Sequence, residues 1–187
     1  MSVWEGLTPP YSTIVADPPW HYDQINPGKS REGYVGARLP YSSMTLDEIR
    51  ALPVADLAID SRLYLWTTNR YLRYAWSVVE AWGFEPHDRL LVWCKTPRCT
   101  ANVTTEYILI GKRGKPPRMP WHGTTWFPWP LQSVHSRKPD GFYDLVESWS
   151  PGPYVDLFCR EPRFGWDSWG YGYERKVATV DVTADRL

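Results

Sequence analysis

Thr13-Ile14-Val15-Ala16-Asp17-Pro18-Pro19-Trp20 is the stretch that decides the fold. Its first half is short, apolar and β-rich, and it stops where consecutive prolines remove the donors a strand ladder needs. Asp17-Pro18-Pro19-Trp20 therefore sits at the carboxyl end of a strand. Downstream, a polar stretch from about His21 to Arg38 is long enough to be a functional loop. Thr45-Leu46-Asp47-Glu48 has capping-box form and opens a short helix to about Leu52. Arg62 to Trp66 reads as a strand. Leu72, Ala75, Trp76 and Val79 then follow helical spacing, with Gly83 as the stop. Arg89–Cys94 and Glu106–Gly111 read as two strands separated by a loop, and Gly111 to Pro130 as irregular chain. Phe142, Leu145, Val146 and Trp149 mark another amphipathic helix, and Tyr154–Phe158 a last buried strand.

Strands alternating with helices imply an α/β sandwich with a mostly parallel central sheet, whose ligands bind beyond the carboxyl ends of the strands. Asp17 and Arg160 both fall at such ends. The length, 187 residues, suits one domain, with the tail after Glu174 expected to be mobile because it lacks a core pattern.

Composition narrows the function. Lys+Arg and Asp+Glu are 21 each, so nucleic-acid binding requires a local basic patch rather than a basic domain. Twelve Trp and twelve Tyr exceed what a small core needs, and flat rings suit flat ligands. No run approaches the roughly 18 apolar residues of a spanning helix, and the N-terminus lacks a signal-peptide pattern, so an intracellular, cytoplasmic protein away from membranes is expected. Three cysteines without a CxxC pair and four scattered histidines suggest neither a disulfide framework nor a metal site.

Asp17-Pro18-Pro19-Trp20 suits a proline-rich strand exit with a Trp packed beneath it. It also suits alkylation of an amine. The adenine N6 lone pair is delocalised into the ring, so an enzyme must hold that amine with its pair aimed at a methyl donor. Asp17 can accept one N–H and the Pro18 carbonyl the other, with Pro19 fixing the carbonyl's direction and Trp20 stacking on or walling in the base.

Several ordered blocks extend this motif: IVADPPW at 14–20, LPYSSMTLDEI at 39–49, LYLWTTN at 63–69, AWGFEPHDRLLVWCKT at 81–96, EYILIGKRG at 106–114, HSRKPDGFYDLVESWSPG at 135–152, VDLFCR at 155–160 and GWDSWG at 165–170. Together they resemble the MT-A70-like adenine N6 methyltransferases. The resemblance implies a Rossmann-like fold whose catalytic half precedes its cofactor half, with S-adenosylmethionine as methyl donor. It makes Asp17, Pro18, Pro19 and Trp20 the catalytic segment. It also implies a donor site drawn from Asp17, His135, Lys138, Asp156, Phe158, Arg160, Trp169, Gly170 and Tyr171. In that set Lys138 meets the donor's methionine carboxylate, and Asp156 and Arg160 address its ribose. Tyr41 matches a tyrosine beside the target adenine.

Two departures stand out. Where many relatives read WGNE or WGNQ, this chain has Trp169-Gly170-Tyr171-Gly172, so a phenol and a glycine replace an amide near the ribose. Only sixteen residues precede Asp17, which implies either modest donor affinity or a pocket completed by a second copy or a partner subunit.

Gly111 to Arg118 concentrates Lys112, Arg113, Lys115 and Arg118, a run that either grips phosphates or forms a solvated face; Trp121, Trp126 and Trp129 beyond it either stack on bases or pack locally. The substrate expected is nucleic acid, DNA before RNA because the chain is compact, with the target base flipped or single-stranded. The other readings are an RNA methyltransferase, a non-catalytic nucleic-acid-binding relative, and an aromatic-rich module for sugars or peptides.

Overall fold

A computed structural model describes residues 3–21, 43–96, 104–120, 123–131 and 137–170. Tyr41, His135, Tyr171, the 22–42 part of the long loop and the tail lie outside the described residues.

Seven strands form one sheet: β1 (Thr13–Ala16), β2 (Ser61–Thr68), β3 (Glu85–Cys94), β4 (Thr105–Arg113), β5 (Trp126–Phe127), β6 (Tyr154–Leu157) and β7 (Trp166–Trp169). Their spatial order is β5-β3-β4-β2-β1-β6-β7. β1 pairs in parallel with β2 and β6, β6 with β7, and β3 with β5, while β4 is antiparallel to β2 and β3. Among the described strands only β4 therefore runs against the common direction, and the mostly parallel α/β sheet is as expected. Several details differ from the sequence reading: β2 and β3 run longer than expected, and a short 3-10 helix forms at Val54–Leu57. β7 follows Tyr154–Leu157 as the last strand among the described residues, and the irregular stretch contains the two-residue β5.

The helices are α1 (Leu46–Arg50), α2 (Leu72–Ala81) and α3 (Asp140–Trp149). The capping box of α1 is complete: the Glu48 N–H donates to Thr45 Oγ1 and the Thr45 N–H to Glu48 Oε2. Strand alternation sorts the core into two layers. Ile14, Ala16, Leu63, Leu65 and Leu109 face α2 through Ala75, Val78, Val79 and Trp82. Val15, Tyr64, Trp66, Leu91, Trp93, Ile108 and Ile110 face α3 through Phe142, Val146 and Trp149. At Gly111 the α2 layer leaves no room for a side chain, because an added Cβ would lie 2.9 Å from Val79 Cγ1 and 3.0 Å from Phe84 Cβ.

Candidate active site

The same two-residue period builds the site. β1 pairs Val15 with Asp156, so Asp17, two residues beyond Val15, projects on the α3 side at the carboxyl edge. Trp66, Glu106 and Lys95 are in phase with Tyr64, Ile108 and Trp93, which place them on the same side. Lys138, two residues before α3, closes the cluster from above.

Lys138 Nζ lies 3.1 Å from Asp17 Oδ2, 2.9 Å from Glu106 Oε2 and 4.7 Å from the Trp66 ring centroid. Lys95 Nζ sits 2.6 Å from Glu106 Oε1, and Arg160 Nη2 3.7 Å from Asp17 Oδ2. Two acids and three bases thus alternate in a largely buried chain, Arg160–Asp17–Lys138–Glu106–Lys95. Burial by itself would raise the Glu106 pKa, but the ammonium groups of Lys138 and Lys95 hold it down to about 2. Burial likewise pulls the Lys138 pKa down, and Asp17 with Glu106 more than reverses that. Glu106 and Lys95 escaped the sequence reading. A usable signal existed, since each is a charged residue at the end of an apolar strand and the two strands form a hairpin.

Asp156, 6% exposed, accepts the Tyr143 hydroxyl at 2.8 Å. Burial pushes its pKa up to about 7; the Tyr143 hydrogen bond opposes the shift and the Asp17 charge adds to it. Phe158, just after β6, has φ 66°, a left-handed conformation that costs a non-glycine residue roughly 1–2 kcal/mol and redirects the chain so that Arg160 comes back to Asp17. Gly170 lies against that turn: an added Cβ would stand 2.5 Å from the Cys159 carbonyl oxygen. Trp169, beside it, packs edge-on against Phe158 and Trp4.

Trp20 is 4% exposed, stacks on Tyr71 with centroids 5.0 Å apart and donates from Nε1 to the Trp66 carbonyl at 3.3 Å. It walls the site from beneath and offers no open face to a base. The Trp20 N–H donates to the Pro18 carbonyl at 2.9 Å, leaving that oxygen one lone pair, and the Pro19 carbonyl accepts the Met44 N–H at 2.8 Å. Beside this segment the buried Thr67 and Thr68 hydroxyls and the Trp66 indole N–H have no partner among the described residues.

The Gly111–Arg118 run lies elsewhere. Lys112 pairs in register with Arg62, near the start of β2, so the run occupies the amino edge of the sheet, away from Asp17. Arg113, expected to contact substrate, has its guanidinium engaged within the protein. Its Nε and Nη1 donate to the Ala58 and Gly83 carbonyls at 3.2 and 2.9 Å, which makes it a tie between loops. The Lys112 ammonium pairs with Glu85 at 3.1 Å, and the Lys115 N–H donates to Asp60 at 2.7 Å. Trp129 stacks on Phe127 and packs against Phe142, whereas Trp126 is 56% exposed.

A profile of the MT-A70 family matches residues 11–172, a span holding every element from β1 to β7 and the whole charged cluster. The chain belongs to the MT-A70 family. That membership makes it an adenine N6 methyltransferase by class. It is similar to the type II methyltransferase M.MunI of a Mycoplasma species, with 31% identity over 180 residues, 86% of this chain and 76% of that protein. It is 29% identical over 162 residues to an N(6)-adenosine-methyltransferase MT-A70-like protein of Drosophila melanogaster and 28% identical over 162 residues to the human N(6)-adenosine-methyltransferase catalytic subunit METTL3. Those matches cover 80% of this chain but only 24% and 26% of the relatives, so it spans about a quarter of their length.

Proposed function

We propose that this MT-A70 protein transfers a methyl group from S-adenosylmethionine to the N6 amine of adenine in DNA, in a cytoplasmic setting. The observation that carries the reading is the Asp17 carboxylate at a strand's carboxyl end, held by Lys138 at 3.1 Å with a free lone pair on the adjacent Pro18 carbonyl. DNA is favoured over RNA by coverage. Similarity to a type II methyltransferase runs over most of both chains, while similarity to proteins named for adenosine, the ribonucleoside, takes in about a quarter of theirs.

The residues present fit such a donor. Lys138 and Arg160 offer cations for a carboxylate, Asp17 an anion for a sulfonium, and the orphaned Thr67 and Thr68 hydroxyls spare hydrogen-bonding capacity beside the motif. When bound, the donor supplies an electrophilic methyl group on a positively charged sulfur. Asp17 and the Pro18 carbonyl orient the amine by accepting its two N–H groups. As the methyl passes from sulfur to nitrogen and the sulfur is left a neutral thioether, the Asp17 charge favours the positive charge on nitrogen, and its carboxylate is placed to take the proton that N6 gives up. Lys138 fixes the Asp17 rotamer, and buried Trp20 keeps water from beneath the segment.

Cells expressing the parent or Asp17→Asn provide the test, with DNA and RNA digested separately to nucleosides and quantified by mass spectrometry. The parent should raise N6-methyldeoxyadenosine and the variant should lose the signal on the order of a hundredfold or more. Modified adenosine in RNA alone would move the substrate to RNA. No modification of either would leave a non-catalytic relative.

A further inference from the structure

The α3 side of the sheet carries a second charged feature, at the edge opposite Asp17. Arg62 and Lys112 stand two residues before Tyr64 and two after Ile110, so alternation brings both onto this side, and the bulge of β3 between Pro86 and Leu90 sets Arg89 beside them. With Arg118, on the chain that follows β4, they line a surface cleft of about 660 Å³. That volume is in the range of small-ligand sites and exceeds what inorganic phosphate alone requires.

The charge balance in the cleft is uneven. Of its two carboxylates, Glu85 is engaged by Lys112 at 3.1 Å, and Asp88 is exposed to solvent, against four cations at Arg62, Arg89, Lys112 and Arg118. Arg62 is 6% exposed, and its one side-chain hydrogen bond among the described residues runs from Nη2 to the Pro117 carbonyl at 2.7 Å. No carboxylate lies within ion-pair distance of it among the described residues. Burial lowers its pKa, the mark of a cation short of compensating anions. Burying a guanidinium without a counter-charge is costly, and its remaining donors form a planar fork suited to phosphate oxygens. The exposed Arg118 likewise has no ion pair among the described residues.

We propose that this cleft binds phosphate, as a second contact for the backbone of the nucleic acid whose target base lies at the opposite edge of the sheet. The nucleic-acid part rests on the methyltransferase reading above. Arg62 and Trp66 are four residues apart on β2, so the two edges are about 13 Å apart, or roughly four nucleotides of helical rise in one strand. The cleft and the catalytic cluster share one side of the sheet. The chain's net charge of zero makes such a local site necessary if phosphates are to be held at all.

The test compares the full chain with Arg118→Glu, on an exposed loop, and Arg62→Met, with circular dichroism confirming that each folds. Binding of a labelled 20-nucleotide DNA, single-stranded and duplex, is followed by anisotropy across a salt series, pyrophosphate binding by calorimetry, and S-adenosylmethionine binding separately. Each variant should bind DNA about tenfold or more weakly, with the log-affinity against log-salt slope flatter by about 0.7–0.9 for every phosphate no longer neutralised and donor affinity unchanged. Parental DNA affinity and slope in a folded variant would overturn the proposal. Unchanged DNA binding with pyrophosphate binding lost would overturn the nucleic-acid assignment and leave a site for free phosphates. Donor binding absent from the parent would sink the methyltransferase reading while the pyrophosphate arm still judged the cleft.

Discussion

Glu106→Gln tests whether the buried charge chain holds the site together. The carboxylate lies 2.6 Å from Lys95 and 2.9 Å from Lys138, with the three side chains 11–17% exposed. Its pKa falls from an ordinary 4.5 to about 2, and each unit is worth about 1.4 kcal/mol, so the folded state favours the ionised form by about 3 kcal/mol. Because the folded pKa is depressed, this stability is present above pH 4.5 and is lost as pH falls towards 2. The neutral amide should therefore cost about 3 kcal/mol at pH 7, seen as a lower urea midpoint with unchanged slope, or a fall in melting temperature of roughly 6–12 °C for a domain of this size. Near pH 2 parent and variant should converge. Equal midpoints at pH 7, or a gap that persists undiminished at pH 2, would refute the account of Glu106 as the anion that stabilises the two lysines.

Lys138→Ala should weaken donor binding by roughly 1.5–3 kcal/mol, measured by calorimetry, and leave oligonucleotide affinity nearly intact, because it removes a charge-assisted hydrogen bond at the donor site. Asp156→Asn should gain stability relative to the parent as pH rises from about 4 to 7. A raised carboxyl pKa favours the protonated folded form, so the parent loses stability across that window; parallel stability curves in urea would contradict it. Gly111→Ala should destabilise by about 1–3 kcal/mol through overpacking against Val79 and Phe84, read from thermal unfolding, with the donor site untouched.

Local chemistry accounts for what was legible in the sequence. Asp17-Pro18-Pro19 ends β1 because proline cannot donate to a ladder, and Thr45 with Glu48 starts α1 because reciprocal caps satisfy the first free N–H groups; neither needs a distant partner. Apolar spacing likewise marks α2, α3 and the central strands. β7 was missed because Trp-Asp-Ser-Trp is short and half polar, and it becomes a strand only by pairing with β6. Tertiary structure decided the rest. Antiparallel register brings Lys95 to Glu106, a pairing the strand ends only hint at, and docking of α3 brings Lys138 to both Glu106 and Asp17, across separations for which one-dimensional spacing carries no signal. The reversed direction of β4 also sends the basic run to the edge opposite Asp17, so that residues equally basic on paper become a loop tie at Arg113 and cleft walls at Lys112 and Arg118. A motif's chemistry is written in its residues, but which charges face one another follows from strand direction and pairing, which only the packed sheet sets.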